Sequence, residues 1–462
     1  MAHLAEQRHE ANAVNRTLID HYRCPQHLAA FELAGRLSED TGYFAFGAET
    51  VCYGTSSAGS RTARVAGPLY DVLHDVRVDT GLVRLPLDPD EVLENLRYER
   101  YRQNGAGNRT QFGDHPVIRN AYYWLRPFLP IAVRKHLQRV RLLGWRKIPF
   151  PHWPIDRTAD RILDRLLVLT MKAQGLDRMP FIWFWPDGAM SCAIMTHDVE
   201  HLAGRNFCSK LMDLDDAAGV KASFQIVPEN RYPVPDALLA EMRHRGFEIN
   251  IHDLNHDGRL FESRQIFFRL AERVNEYGRK FGALGFRSGA LYRNQAWYGA
   301  LDFSYDMSVP SVAHLDPQRG GCCSLMPFFL GRIVELPLTT IQDYSLFHIL
   351  NDYSISLWER QLDAISGQHG LATFLVHPDY IIEERARRTY QTLLEHLVSM
   401  REARRIWIAL PREVDRWWRT RSRLTLTHDG QKWRIEGPDK ERARLAFATL
   451  AGDTLTFTIE DS

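Results

Sequence analysis

The sequence predicts an α/β protein whose central part is a parallel sheet or barrel. From about residue 180 onward, short apolar runs alternate with helical patterns, and each helical segment returns the chain to another apolar run. Such alternation is typical of βαβ units. Residues 1–160 instead mix helical and strand-like patterns, and the tail alternates apolar and polar residues between turn sequences. We therefore predict an N-terminal α+β domain (1–160), a central α/β domain (176–418) and a small antiparallel β appendage (423–462).

The spacing of apolar residues places the elements of the central domain. A helix over 156–175 leads into it and ends in Gly175, a common C-terminal cap. The predicted strands lie at 192–195, 220–228, 247–252, 284–289, 333–339, 372–378 and 405–410, and the first four are joined by helices near 205–219, 235–245 and 262–281. In the tail, DG, GPDK and AGD turns separate four strand-like runs, which predicts antiparallel pairing.

Composition and charge are those of an ordinary soluble globular protein. The 462 residues are 45% hydrophobic and 25% charged, and the net charge of +1 gives no indication of a nucleic-acid partner. The N-terminus carries charges throughout, and no window approaches the roughly eighteen consecutive apolar residues that a membrane span needs. We therefore expect a cytoplasmic protein. The six cysteines lack CxxC spacing, so we expect buried, reduced thiols rather than a zinc ribbon or a disulfide scaffold.

One segment, 119–153, is both basic and aromatic. It carries eight Lys or Arg residues and no acidic residue. Trp, Tyr and Arg side chains suit a membrane interface, so this segment would allow peripheral contact with anionic lipid or with a lipid-linked glycan. The alternative is a packed helix with a solvated basic face, followed by a Pro-rich linker.

Polar and ionisable residues follow several of the predicted strands. Four short sequences mark these strand ends: THDVE (196–200), HDLNH (252–256), FRSG (286–289) and HPDY (377–380). In parallel α/β folds, functional sites assemble from the loops at the carboxyl ends of the strands. We therefore expect the four sequences to converge on one mouth of the sheet.

The first two of these sequences predict a metal site. His252 and His256 are four residues apart, which places both imidazoles on one face if the segment turns helically. Asp198 on a neighbouring strand would complete a set that leaves coordination positions open for water and substrate. The alternatives are a pair of polar loop histidines, and an Asp198 that is only a surface or capping carboxylate.

Three further residues have both a functional and a structural interpretation. Glu200 would be a catalytic carboxylate or a residue in the first turn of a helix, where the helix dipole favours it. Arg287 would neutralise a catalytic carboxylate or make a structural salt bridge. His377 would be a neutral core histidine or, at the mouth, a general acid.

The order of these motifs resembles the polysaccharide deacetylase family, whose catalytic unit is the NodB-like domain of carbohydrate esterases of the family 4 type. ASFQIVPENR (222–231) and GFRSGALYR (285–293) extend the resemblance, which covers roughly residues 180–415. It implies a distorted (β/α)7 barrel with a metal at its mouth. In that family, a TFDDG-type motif supplies a base and a metal ligand, and an HxxxH motif supplies two more ligands. An Arg-containing motif supports the base, and a late histidine is the acid.

The first motif of this chain departs from the family pattern. Asp198 is followed by Val199 and Glu200 rather than by a second aspartate. Strict alignment with the TFDDG-type motif makes Asp198 the base. It leaves no carboxylate to bind the metal, because Val199 stands where the family has the second aspartate. The alternative makes Asp198 the ligand, and Glu200 or a neighbouring group the base. The family's fourth motif is not clear, although Asp302 or Asp306 would fill part of it.

The resemblance implies a hydrolase that removes an N-acetyl group from a sugar. The cation would be zinc, with cobalt or nickel as alternatives. Without an export signal, a nucleotide-linked or lipid-linked sugar of cell-surface glycan assembly is the expected substrate. Two other interpretations are a glycan-binding protein with impaired catalysis and a hydrolase of a non-sugar amide. The predicted metal ligands are Asp198, His252 and His256, and the predicted catalytic residues are Asp198, Glu200, Arg287 and His377.

Overall fold

The computed structural model describes residues 16–102, 142–403 and 405–460, which fall into two compact units. The first unit consists of residues up to 102 together with 157–189 and 416–460, and the second of 142–156 and 190–415. These units differ from the predicted domain boundaries. The chain leaves the first unit and returns to it twice, which local sequence patterns do not reveal.

The N-terminal part of the first unit mixes short helices and strands, as the sequence predicts. Its elements are α1 (Arg16–Tyr22), β1 (Phe31–Leu33), β2 (Gly42–Ala45), β3 (Val51–Gly54), β4 (Arg77–Asp79), β5 (Leu82–Leu85), α2 (Pro89–Arg97), α3 (Thr158–Gln174) and β6 (Arg178–Ile182). Asp88 caps α2 through its side chain, which accepts from the N–H groups of Asp90 and Glu91. Gly175 ends α3 with φ of 62°, which confirms the predicted glycine cap.

The second unit, which we call the barrel unit, alternates strands and helices. Its elements are β7 (Ser191–Val199), α4 (Leu202–Ala217), β8 (Ala222–Ile226), α5 (Asp236–His244), β9 (Glu248–His252), α6 (Arg264–Phe281), β10 (Gly285–Arg287), β11 (Tyr305–Asp306), β12 (Phe328–Leu330), β13 (Ile333–Glu335), α7 (Ser356–Ser366), β14 (Leu371–Val376), α8 (Pro378–Ile381), α9 (Glu384–Glu402) and β15 (Ile406–Ala409). The predicted strands and helices of this region are therefore present, and β7 is five residues longer than the predicted strand.

Seven strands of the barrel unit form one parallel path, in the order β14-β7-β8-β9-β10-β11-β13. β15 runs parallel to the start of β7, and β12 adds an antiparallel edge beside β13. All residues of β7, β8, β9 and β14 are buried, as expected for parallel strands covered on both faces. The predicted α/β class with a distorted seven-stranded parallel barrel is confirmed.

The two ends of this path meet through side chains. After β13, Thr339 Oγ1 donates to the carbonyl of Leu371 at 2.7 Å, and Thr340 Oγ1 donates to the carbonyl of Thr373 at 2.7 Å. The N–H of Thr373 returns a hydrogen bond to Thr339 Oγ1 at 3.0 Å. Threonine hydroxyls thus take the place of a backbone ladder between β13 and β14, which explains the distortion of the barrel.

The tail belongs to the first unit and pairs with β6. After α10 (Pro411–Ser422), its strands are β16 (Thr425–His428), β17 (Trp433–Glu436), β18 (Leu445–Ala451) and β19 (Thr454–Ile459). β16 pairs with β17 and β18 with β19, both antiparallel as predicted. β18 also pairs with β6, which was predicted within the central domain. Buried Arg421 donates to the carbonyls of Ile182 at 2.6 Å and His21 at 2.8 Å, which links the tail to the N-terminal part of this unit.

Most of the basic aromatic segment, up to residue 141, lies outside the described residues. In the described end of that segment, Trp145 packs edge-on against Trp153, with ring centroids 4.7 Å apart. Among the described helices, none combines the length and apolar character that crossing a bilayer requires. All six cysteines are buried and unbridged, as expected.

Candidate active site

The carboxyl ends of four parallel strands bring the predicted site residues together. Asp198 and Glu200 come from the end of β7, and the remaining groups come from the ends of β9, β10 and β14. The six predicted side chains all lie in this mouth, in a network of contacts: Asp198, Glu200, His252, His256, Arg287 and His377. The expected convergence of the four motifs therefore occurs.

The two carboxylates of THDVE share one face because β7 continues through this motif. Side chains of a strand alternate between its faces, so Asp198 and Glu200 point the same way and Val199 points into the core. Asp198 is 2% exposed, which excludes a surface or capping role. Glu200 precedes α4, whose N-cap is His201, so the first-turn interpretation of Glu200 is wrong.

Glu200 forms a compact group with the two histidines of HDLNH. Ligand atoms of Glu200, His252 and His256 all lie within 4.8 Å of one another. Glu200 Oε1 lies 3.0 Å from His256 Nε2 and 3.9 Å from His252 Nε2. Asp198, the predicted carboxylate ligand, lies outside this group, although its Oδ2 is 3.5 Å from His252 Nε2. The reason is that Arg287 engages Asp198 and leaves Glu200 to face the histidines.

The imidazole nitrogens of this group fit a metal ion. His252 Nδ1 donates to the carbonyl of Arg287 at 3.2 Å, which leaves the lone pair on Nε2. The Nε2 atoms of His252 and His256 are buried, and neither has a well-directed hydrogen bond within the described parts of the chain. Buried polar atoms are almost always paired, so two such nitrogens beside a carboxylate indicate ligands.

The segment that joins the two histidines is a loop rather than the expected helical turn. Asp253 and His256 have φ of 59° and 53°, in the left-handed region. Asp253 Oδ2 accepts from the N–H of Gly289 at 3.1 Å, and a Cβ at position 289 would lie 2.4 Å from that oxygen. Arg231, which sequence reasoning missed, donates to the carbonyl of Asn255 at 3.0 Å. These contacts bring the ring centroids of His252 and His256 to 4.8 Å.

Asp198 is held by a buried arginine. Arg287 Nη1 donates to Asp198 Oδ1 at 2.7 Å and to Thr196 Oγ1 at 2.7 Å, and Arg287 Nε donates to the carbonyl of Met307 at 3.0 Å. Burial opposes the charge of Asp198, but Arg287, followed by His252, overcomes this and lowers the pKa of the carboxyl. The arginine thus both neutralises a site carboxylate and fixes its orientation.

His377 forms a dyad with a carboxylate that the sequence did not single out. Asp343 Oδ1 accepts from His377 Nδ1 at 2.6 Å, and Asp343 Oδ2 accepts from the His377 backbone N–H at 2.7 Å. Burial disfavours the imidazolium, but Asp343 outweighs it and raises the pKa of His377 well above its ordinary value. His377 Nε2 lies 3.4 Å from Glu200 Oε1, so His377 belongs to the mouth and not to the core.

The residues considered for the fourth motif lie elsewhere. Asp302 is exposed and pairs with Arg332 at 3.1 Å. Asp306 is buried on β11, where its Oδ1 accepts from Ser308 Oγ at 2.7 Å. Asp343, in the loop after β13, is the carboxylate that contacts His377. Its signal in the sequence is only that it follows another strand, in the run TTIQDYS (339–345).

The charges of the mouth are balanced around Glu200. Burial opposes its ionisation, but the nearby His256, followed by His252, overcomes this and lowers the pKa of Glu200 well below its ordinary value. For His252, burial favours the neutral form, yet Asp198 and Glu200 raise its pKa. A divalent cation would displace the proton that the raised pKa favours on His252, since ligand atoms must be deprotonated to bind a metal.

No family model matches the sequence, and no curated protein matches it. Several solved structures are similar in fold, among them polysaccharide and peptidoglycan deacetylases, the family that the motifs resemble. A protein from Mycobacterium smegmatis assigned as a polysaccharide deacetylase is 17% identical, with a TM-score of 0.42, and the match covers 54% of this chain and 98% of that one. An allantoinase is 12% identical, with a TM-score of 0.40 and coverage of 51% and 92%.

The peptidoglycan deacetylase PdaC from Bacillus subtilis is also similar. It is 12% identical, with a TM-score of 0.32, and the match covers 50% of this chain and 93% of that one. At these identities and TM-scores, neither activity nor substrate can be transferred to this chain.

Proposed function

We propose that this protein is a metal-dependent deacetylase that removes an N-acetyl group from a sugar. The observation that carries the proposal is that the buried Nε2 atoms of His252 and His256 converge on Glu200 without a well-directed hydrogen bond among the described residues. This group lies between two further buried pairs, Asp198 with Arg287 and His377 with Asp343. A ligand set, a base and an acid in one mouth are the parts that metal-assisted amide hydrolysis needs.

Glu200, His252 and His256 would hold the cation, with Glu200 in the place predicted for Asp198. Two imidazoles and one carboxylate suit zinc, and also cobalt or nickel. When bound, such a cation supplies Lewis acidity, which lowers the pKa of a water molecule and polarises an amide carbonyl.

Asp198 is the proposed general base. Its Oδ1 is engaged by Arg287, whereas Oδ2 faces His252 at 3.5 Å and so points toward the ligand group. The lowered pKa keeps Asp198 anionic at neutral pH and able to accept a proton from the attacking water. The same contact with Arg287 keeps the carboxylate from rotating away.

His377 is the proposed general acid. Asp343 binds Nδ1–H, so the proton to be transferred is the one on Nε2, and the raised pKa keeps that proton in place at neutral pH. The water oxygen bonds to the acetyl carbon, Asp198 takes a proton from that water, and the C–N bond breaks as His377 protonates the leaving amine. The products are acetate and an amino sugar.

An N-acetylated glycan is the proposed substrate. A nucleotide-linked or lipid-linked sugar would suit the cytoplasmic location that we expect from the sequence. The interpretation as a catalytically impaired glycan-binding protein rested on the absence of a second aspartate in THDVE. Glu200 supplies a carboxylate on the same face two residues after Asp198, which removes the main reason for that interpretation.

Metal content and acetate release, measured on matched variants, test the proposal. We expect about one equivalent of zinc-like metal in the wild type and its loss in Glu200→Gln and His252→Ala. Asp198→Asn should keep the metal and lose turnover on N-acetylated sugar nucleotides. His244→Ala, at an exposed position on α5, is the control and should change neither quantity.

The outcomes of this experiment are distinct. Loss of metal in Asp198→Asn with retention in Glu200→Gln would restore Asp198 as the ligand. A wild-type protein that binds no added zinc, and releases no acetate from any N-acetyl sugar tested, would overturn the proposal.

A further inference from the structure

One carboxylate joins the segment that carries His377 to the segment that carries Glu200. Asp379 lies in α8, two residues after His377. Its Oδ1 accepts from the N–H of Gly204 at 2.9 Å. Gly204 is in the first turn of α4, which begins two residues after Glu200. The first-turn N–H groups of a helix have no partner within the helix, so a carboxylate from another segment can bind them.

The residue at position 204 permits this contact. A Cβ there would lie 2.3 Å from Asp379 Oδ2 and 3.0 Å from the Asp379 backbone nitrogen. A Cβ there would displace the Asp379 carboxylate and crowd the backbone at the start of α8. Glycine within a helix is about 1 kcal/mol less favourable than alanine, so the close approach of α8 to α4 accounts for the glycine.

The second oxygen of Asp379 lies beside Gly204 and His201. Oδ2 is buried and has no hydrogen-bond partner among the residues that the structure describes. It lies 4.0 Å from His201 Nδ1, which is itself 4.0 Å from Glu200 Oε2. Burial raises the pKa of Asp379, while the N–H of Gly204 and the backbone of His201 act in the opposite direction. The carboxylate therefore acts on the residue that directly follows Glu200.

We propose that Asp379 is a positioning residue that fixes Glu200 relative to His377. By binding the start of α4, it sets where the chain leaves β7 and hence where Glu200 Oε1 lies. His377 Nε2 is 3.4 Å from that oxygen, so a shift of the α4 start changes both the ligand group and its distance from the acid. This inference rests on the proposed function for its catalytic consequence, but its consequence for metal binding is independent of substrate.

Three variants and one control test the role. Asp379→Ala removes the contact, and Gly204→Ala drives the two helices apart. Asp379→Asn keeps an oxygen that can accept from the N–H of Gly204. The control is Ser263→Ala, because Ser263 Oγ caps α6 of the same barrel by accepting from Ile266 N at 3.2 Å, so this variant also removes a side-chain contact to the start of a helix.

The measurements are the affinity for added Co²⁺ by optical titration, the rate of acetate release, and the circular dichroism that shows each variant to be folded. We expect Asp379→Ala and Gly204→Ala to bind Co²⁺ at least tenfold more weakly and to lose at least tenfold in kcat. Asp379→Asn should stay within about threefold of the wild type in both. Ser263→Ala should match the wild type in Co²⁺ affinity, whatever its thermal stability.

An Asp379→Ala variant with the Co²⁺ affinity of Ser263→Ala would overturn the role. If no sugar releases acetate even with the wild type, the Co²⁺ titration still decides whether Asp379 positions the ligand group. Failure of the proposed function is thereby separated from failure of this inference. Should Gly204→Ala unfold, the comparison of Asp379→Ala with Asp379→Asn remains decisive.

Discussion

Asp343 accepts two hydrogen bonds from His377, one from the ring Nδ1–H at 2.6 Å and one from the backbone N–H at 2.7 Å. The two residues come from different strand ends of the barrel and are both buried. Two contacts to one carboxylate fix the rotation of the imidazole, so Nε2 points to Glu200. This geometry supports the proposed role of His377 as proton donor.

Asp343→Asn should therefore lower turnover and shift the pH profile. The charge of Asp343 raises the pKa of His377, so its removal lowers that pKa and the acid form is lost at lower pH. We expect kcat to fall on the order of 10²-fold or more, with the alkaline limb of the pH profile moved toward lower pH. Rates of acetate release between pH 5 and 10 would measure both effects.

Asp352→Asn is the matched control for this variant. Asp352 lies nine residues further along the same loop, and its carboxylate accepts from Ser354 N at 2.9 Å and Ser354 Oγ at 2.8 Å. We expect a wild-type profile for it. An Asp343→Asn profile with an unmoved alkaline limb would show that His377 is not the group that titrates there.

Arg287 is predicted to act on both stability and turnover. Arg287→Met leaves Asp198 as an uncompensated buried charge, a change that costs about 3–5 kcal/mol in other proteins. The pKa of Asp198 should rise, so the acidic limb of the pH profile should move to higher pH. Urea denaturation gives the first effect, and rates of acetate release give the second.

The double variant Asp198→Asn/Arg287→Met separates the ion pair from other roles of Arg287. Without the carboxylate charge, loss of the arginine should cost less free energy of unfolding than it does in the wild type, giving a coupling of about 1–3 kcal/mol. Additive effects of the two substitutions would mean that the contact at 2.7 Å contributes little to stability.

Metal should stabilise the protein if the ligand group binds it. A ligand at one hundred times its Kd adds about 2.7 kcal/mol to the free energy of unfolding. For a unit of the size of the barrel unit, that corresponds to a rise in Tm of about 5–10 °C, which a chelator should reverse. Calorimetry with and without zinc would measure it.

His256→Ala is the comparison for the thermal experiment. It removes one of the two imidazole nitrogens of the ligand group, so zinc should no longer raise its Tm. An equal zinc-dependent rise in His256→Ala and wild type would place the stabilising metal elsewhere in the protein.

Much of the barrel unit could be predicted because its strands and its site motifs are short continuous stretches of the sequence. Each strand is a short apolar run, and each site motif directly follows such a run, as with His252 at the end of β9 and Arg287 at the end of β10. Parallel strands bring their carboxyl ends to one edge, so the convergence follows from topology alone. The convergence of His252, His256 and His377 on one mouth could be predicted in this way.

What could not be predicted depends on contacts between distant residues. Asp343 is 34 residues from His377, and no spacing in the sequence relates them. The surroundings of Asp198 and Glu200 differ because Arg287 Nη1 reaches the first of the two. The pairing of β6 with β18 likewise joins residues 178–182 to residues 445–449, so the tail could not be seen to belong to the first unit.

A buried carboxyl at the other end of the barrel should make stability depend on pH. Glu248 begins β9, where Tyr305 Oη donates to its Oε1 and the N–H of Arg412 donates to its Oε2 at 3.1 Å. Burial raises the pKa of Glu248 to about 6, against the opposing effect of these donors. The native state therefore holds this proton more tightly than the unfolded chain does.

The sign of the effect follows from linkage. A raised native pKa contributes stability that is complete below the unfolded pKa, near 4.5, and is lost as the pH rises through about 6. The free energy of unfolding should thus fall by about 2 kcal/mol between pH 4.5 and 6.5 from this group. Urea denaturation at several pH values would measure this fall. Glu248→Gln should lose this part of the pH dependence of the free energy of unfolding, whereas Glu395→Gln, at an exposed position of α9, should retain it. Equal slopes in all three proteins would mean that Glu248 ionises as readily in the native state as in the unfolded chain.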